Sequence, residues 1–225
     1  TKYDSQNTQT YGFTIGAPIV KNKLFVFASA EYYKKSYPNV YTPDNGSYSD
    51  AKHKLSKPVD VNGKQHEYFD SEVAQAVIDR YNEIYHKDGA VEESFGQHQV
   101  NDQSINAMLR LDWNINDKNK MMVRYQFMDA YADKYSSGAN TYYFNNSSYK
   151  QSNRTNTIVL ELNSRPSEMI SNEFRATAVM VRDKRSVPYQ GANMYIRDNV
   201  TIDLGTEYSS GANSMSSDTY TISDN

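Results

Sequence analysis

The sequence contains no cysteine, so no disulfide framework staples it and no thiolate can hold a metal. It also lacks any apolar run of about 18 residues, so no helix crosses a membrane, which excludes nothing about strands that alternate. Positive charge is not in excess: the net charge is −3, which gives no reason to expect nucleic acid as a partner. Hydrophobic residues make up only 38%, low for a full soluble core. There is no Gly-x-Ser-x-Gly elbow, no phosphate-cradling glycine loop and no Ser/His/Asp constellation. Neither catalysis nor a cofactor is expected.

What the chain has instead is tyrosine, 20 copies in 225 residues, with much asparagine and serine. The informative stretch is Ser104–Tyr131. Ala107, Leu109, Leu111 and Trp113 alternate with Met108, Arg110, Asp112 and Asn114. Asn116-Asp117-Lys118-Asn119 supplies turn residues. Met121, Val123, Tyr125 and Phe127 then alternate with Met122, Arg124, Gln126 and Met128. A period of two predicts strands whose faces meet different surroundings. A soluble antiparallel sheet and a transmembrane barrel both give that pattern.

The connections discriminate. Thr10–Ala17 and Leu24–Tyr33 read as strands around the short turn Val20-Lys21-Asn22-Lys23. A long excursion over 36–103 follows, with a helix predicted at Asp70–Lys87, capped by Asp70 or Ser71 and ended near Gly89. Its apolar stripe, Val73, Val77, Tyr81, Ile84 and Tyr85, is expected to pack on the loop or rim. After the central hairpin, Asp133–Asn153 reads as a polar loop. The strand Arg154–Ser164, the turn Arg165-Pro166-Ser167 and the strand Met169–Arg182 come next. A third long connection, Asp183–Ser217, leads to a strand at Asp218–Ser223. Short and long connections alternate, so all short turns share one end, as in outer-membrane barrels.

Glu31, Arg110, Asp112, Arg124, Glu161, Glu173 and Arg175 all fall opposite the aliphatic rows. Arginine at the lipid midplane costs about 2–4 kcal/mol, so the charged face is expected to line a lumen. The fold class expected is all-β: an antiparallel up-and-down transmembrane barrel segment with long extracellular loops and one short helix. The competing reading is a soluble or surface β-sandwich that binds glycans through tyrosine-rich loops. Thr1-Lys2-Tyr3-Asp4 and Thr219–Asn225 read as the interior of a longer chain.

Four segments stand out as motifs: Gly16-Ala17-Pro18-Ile19-Val20-Lys21-Asn22-Lys23-Leu24-Phe25-Val26-Phe27, the segment from Leu109 to Lys120, Ser171–Ala176 with Asp183-Lys184-Arg185, and Leu204-Gly205-Thr206-Glu207 with Ser210–Ser214. The first three resemble hairpins, and the fourth the loop beyond, of the large Oar-like TonB-dependent outer-membrane receptors, with Ala17 where the family pattern has glycine. The resemblance implies a larger barrel, a plug that contacts TonB, and import of a bulky solute. The plug is not in this chain, and a surface lipoprotein lid is a possible further partner.

Candidate solute-path residues are Glu31, Arg110, Asp112, Arg124, Glu161, Arg175, Tyr142 and Tyr143. The same luminal charges could instead brace the wall as cross-strand ladders. Tyr37, Tyr41, Tyr48, Tyr68, Tyr142, Tyr143, Phe144 and Tyr149 could grip a ligand or knit loops together; knitting is the stronger expectation. His53, His66, His86 and His98 share the first long loop but are irregularly spaced, so solvated histidines are expected there rather than metal ligands. Asp44-Asn45-Gly46 and Asp60-Val61-Asn62-Gly63 read as turns rather than calcium loops.

Overall fold

The computed structural model describes residues 5–38, 53–85, 92–94, 99–135, 141–187, 193–205 and 213–225. In chain order its strands are β1 (Asn7–Val20), β2 (Leu24–Pro38), β3 (Lys54–Val61), β4 (Lys64–Tyr68), β5 (Gln99–Asn116), β6 (Asn119–Tyr135), β7 (Thr141–Tyr143), β8 (Ser148–Ser167), β9 (Ile170–Ser186), β10 (Met194–Arg197), β11 (Thr201–Leu204) and β12 (Ser214–Asp224). Helix α1 (Ser71–Tyr85) lies between β4 and β5. The long strands form one antiparallel sheet in the order β1-β2-β5-β6-β8-β9-β12, each beside the next long strand along the chain. This is up-and-down order, with β1 and β12 as the two edges.

Register puts like with like. Ala28, Leu109, Tyr125, Ile158, Ala178 and Tyr220 stand in one hydrogen-bonded row. On the other face Phe25, Asp112, Met122, Glu161, Arg175 and Ser223 stand in another. A β-sandwich would lay a second sheet over the apolar face, and among the described residues none does so. Leu109, Ile158 and Ile222 are 46%, 42% and 74% exposed. An uncovered apolar face of this breadth belongs against lipid.

The turns are staggered. Leu24 pairs with Trp113, so Asn22 of the first turn is level with Ile115, short of the second turn at Asp117-Lys118. Asn119 pairs with Ser164, so Lys118 is level with Arg165, short of the third turn at Glu168-Met169. Each hairpin thus reaches about two to three residues beyond the last. At about 3.3 Å per residue and about 4.8 Å between strands, turns sharing one plane imply a strand tilt of roughly 40–45°.

The apolar belt slopes the same way. One row runs Tyr11, Tyr32, Ile105, Asp129, Arg154, Arg182, Ser216. It is apolar or aromatic at its first three positions and polar at its last four. The lipid boundary therefore crosses the strands obliquely, in step with the turns.

Three expected segments need correction. Asp133–Asn153 and Asp183–Ser217 are not simply loops: β6, β8, β9 and β12 run well into them. A transmembrane strand needs only about 9–11 residues, and β8 has 20, so its polar end projects beyond the belt and carries no apolar alternation to read. The third turn is also not at Arg165-Pro166-Ser167. Strand β8 continues to Ser167, with a register shift between Ser164 and Ser167 that accommodates a proline unable to donate in the ladder.

The three long connections fold together into one module. Strands β10, β11 and β7 make a small sheet, with β11 antiparallel to β10 and parallel to β7. The β3–β4 hairpin turns through Asn62 and Gly63, both at positive φ, with the Gly63 N–H donating to Asp60 at 2.9 Å. Helix α1 is capped by Asp70, which accepts the N–H groups of Glu72 and Val73 at 3.0 Å each. The helix buries Val73, Ala74, Ile78 and Tyr81. Ile84, expected on the stripe, is exposed; Val77 and Tyr85 pack at the margin. Leu55 and Phe69 from the first connection, Phe144 from the second and Val200, Ile202 and Leu204 from the third complete the core.

Candidate solute path

The polar face of the wall gathers six of the eight candidate residues. Arg110 grips Asp112 with two charge-assisted bonds, Nε at 2.8 Å and Nη2 at 2.7 Å. Arg175 donates to Glu161 from Nη2 at 2.9 Å and contacts Glu173 at 2.8 Å. Asn163 also donates to Glu161, at 2.7 Å. Arg124 stands directly opposite Arg110 in the β5–β6 ladder. Like charges so placed repel, and Arg110 is turned away toward its aspartate. The Nε of Arg124 is buried with no hydrogen-bond partner.

Glu31 lies higher on the same face, level with Asn106. It borders a shallow recess of about 460 Å³, with Gly12, Thr14, Ser29, Met108 and Gln126 also on its floor and walls. A Cβ at Gly16 would meet the Phe27 ring at 3.4 Å, so glycine there lets the ring lie close to the wall. The arrangement is a smooth segment at β1 and β2 beside a charged ladder across β5, β6, β8 and β9. Such a surface can order water and exchange hydrogen bonds with a polar solute.

Tyr142 and Tyr143 are elsewhere. Both sit on β7 in the loop module, half-buried. The Tyr142 ring lies 4.7 Å from Phe69 and 5.5 Å from His53. Phe144 is fully buried. These aromatics knit the connections together. Tyr37 and Tyr149 belong to the projecting strands, where Lys35 and Arg185 lie over their rings at 4.6 Å and 4.4 Å. Tyr41, Tyr48, His86, His98, Gly89 and Asp44-Asn45-Gly46 lie outside the described residues.

His66 is buried, with Asp70 at 2.6 Å from Nδ1 and Glu72 at 3.2 Å from Nε2. The carboxylates approach opposite nitrogens of one ring, so the three cannot share an ion. Burial opposes ionisation of Asp70, but the Val73 N–H, the His66 ring and the Glu72 N–H outweigh it and hold its carboxyl below the ordinary range.

The residue that sequence reasoning missed is Glu93. It is buried, and its carboxylate accepts the N–H of Asn146 at 2.9 Å, of Ser94 at 3.1 Å and of Gly205 at 2.6 Å. Its backbone is bracketed by Asn82, which accepts the Glu93 N–H at 2.8 Å and donates to the Glu93 carbonyl at 3.0 Å. One side chain therefore joins all three connections. Burial lifts its carboxyl above the ordinary glutamate range; the N–H groups of Asn146, Gly205 and Ser94 pull the other way, and the Asp203 carboxylate adds to the lift. No local motif marks such a residue, because its partners come from distant connections.

A family model described as an outer membrane beta barrel domain matches residues 1–224. No curated protein and no solved structure matches the chain.

Proposed function

The chain belongs to the outer membrane beta barrel domain family, and from that premise we propose that it supplies part of the wall of a TonB-dependent receptor that imports a bulky solute. The barrel strands lie in the outer membrane, apolar face to lipid. On this reading the long connections are extracellular and the polar face lines the lumen. The observation that carries the proposal is the luminal ladder Arg110–Asp112, Arg124, Glu161–Arg175–Glu173 beneath a folded loop module. A wall that served only as an anchor has no need of six charges along its water-facing side. The energy would enter through a plug that contacts TonB, and a surface lipoprotein could close over the loops. A catalytic role forms no part of the proposal.

The test uses the full-length receptor in liposomes loaded with oligosaccharides or peptides of graded size. A plugged, energy-coupled receptor holds them in, and import in cells stops when TonB is deleted or the proton gradient is collapsed. Free leakage through the purified receptor, with uptake unaffected by TonB, overturns the proposal in favour of a passive pore.

A further inference from the structure

Two opposite charges on the polar face of the wall stand unpaired. Glu31 is exposed, and Arg124 is half-buried, its Nε sealed from water without an acceptor. No hydrogen bond or ion pair among the described residues engages either side chain. The other charges nearby are committed, Arg110 to Asp112 and Arg175 to Glu161 and Glu173. Arg110 also stands directly opposite Arg124, like charge against like. An anion arriving from the polar side offsets that repulsion and gives the Arg124 guanidinium a partner.

Register sets how far apart the two poles lie. Glu31 is level with Asn106 and Asn106 with Met128, so Arg124 lies four residues along β6 from the level of Glu31. Only β5 separates β2 from β6. Four residues at about 3.3 Å and two strand spacings of about 4.8 Å place the poles roughly 16 Å apart. This distance lies within the sheet and does not depend on strand tilt. Between the poles runs a row that includes Thr14, Ser29, Met108 and Gln126 and carries no charge. With Glu31 and Asn106 those four line the recess of about 460 Å³.

The strip therefore offers an acid at one end, a base at the other, and hydroxyls, amides and a thioether between. Hydroxyls and amides can donate to carbonyls and accept from N–H groups, and a thioether receives an apolar side chain. A neutral glycan brings a charge for neither pole, and a chelate charged with a single sign leaves one pole unmet. An extended chain advances about 3.3–3.6 Å per residue, so roughly five residues bridge the poles. We propose that this strip binds a short peptide with free ends, its ammonium at Glu31 and its carboxylate at Arg124. The proposal names the solute class for the import reading, and rests on that reading's assignment of the polar face to the lumen.

The experiment uses the full-length receptor in detergent and measures binding of the pentapeptide Gly-Ser-Ala-Ser-Gly by calorimetry. Its N-acetylated form, its C-amidated form and the free dipeptide Gly-Ser are run in parallel. The free pentapeptide binds tightest, and blocking either end weakens it by roughly tenfold or more. The dipeptide, too short to span the strip, is weaker still. Glu31→Gln abolishes the discrimination against N-acetylation and keeps that against amidation; Arg124→Gln does the reverse. A variant that merely misfolds loses both together, and the comparison of free and blocked peptides on the unaltered receptor needs no variant. Equal binding of free and blocked peptides overturns the proposal. So does a dipeptide that binds as tightly as the pentapeptide, or discrimination at both ends that survives both substitutions. Binding is read without TonB or a proton gradient, so a receptor that proves to be a passive pore still shows the crosswise pattern, and loss of that pattern bears on the peptide site alone.

Discussion

Replacing Glu93 by alanine is predicted to loosen the whole loop module and leave the wall intact. The carboxylate accepts N–H groups from Asn146 and Gly205, one from each of the other two connections. Removing it strands both donors in a site that excludes water. Each buried donor left without a partner costs about 1–3 kcal/mol, so the two cross-connection bonds place the loss at about 2–6 kcal/mol. That is comparable to the total stability of many small domains. Glu93→Gln keeps one carbonyl oxygen and loses one acceptor, for about 1–3 kcal/mol. Hydrogen exchange on the full-length protein reads the difference. Amides in 71–85, 141–147 and 193–205 exchange faster together, about tenfold for each 1.4 kcal/mol, while 105–113 and 121–127 keep their protection. The pH dependence has a definite sign. The folded-state value is raised, so this residue's contribution is fully present below the ordinary glutamate pKa and is lost as pH climbs through the raised one. Glu93→Gln removes that slope. If only residues beside position 93 respond, or if the wall loosens equally, the clasp reasoning is wrong.

Leu109→Arg and Ile158→Arg, on the lipid face, cost about 2–4 kcal/mol near the midplane and reduce insertion into vesicles, whereas Thr157→Arg on the polar face leaves insertion unchanged. Asp70→Ala removes the α1 cap for about 1 kcal/mol, seen as faster exchange at the start of the helix. Because the Asp70 pKa is lowered, its contribution is present above the ordinary aspartate value and lost as pH falls through the lowered one; a helix start that holds firm under acid refutes this. On the proposed import, Asp112→Asn and Glu161→Gln shift solute discrimination; Asp112→Asn changes stability by less than about 1 kcal/mol, since that carboxylate is partly exposed and its pair screened, and Glu161→Gln, at a side chain 19% exposed, by about 1 kcal/mol. A large drop in thermal stability for either would assign the ladder to bracing instead.

What could be read from the sequence was what two unlike surroundings impose residue by residue. Leu109, Leu111, Val123, Ile158 and Leu160 alternate with charges because lipid lies on one side and water on the other. The same logic explains where reading stopped. Above the belt both faces are wet, so Asp133–Tyr135 and Ser148–Asn153 carry no alternation although they are strand. The core of the loop module was illegible for a different reason. Leu55, Phe144, Val200 and Leu204 are isolated apolar residues in three polar connections, and only the folded chain brings them together. The helix was legible from its cap and stripe, but 3.6-residue geometry over four turns placed Ala74 and Ile78 inward and Ile84 outward.

The loop module bears on how a solute could enter. Its parts come from the connections between β2 and β5, β6 and β8, and β9 and β12, so six of the seven long strands feed into it. A loop that swings alone must first break the Glu93 bonds and expose Phe69, Phe144 and Leu204, all fully buried. Uncovering one large side chain costs about 1.5–3 kcal/mol before the lost hydrogen bonds are counted. Single-loop gating is therefore the expensive route, and a displacement of the whole module on its projecting strands is the cheaper one. A cysteine pair across β7 and β11, directly paired strands from the second and third connections, would lock those connections together. If the proposed solute import by the full-length protein survives that lock, entry proceeds by movement of the module as a body; if import stops while the locked protein still inserts and binds, the connections must part, and the rigid-module argument fails.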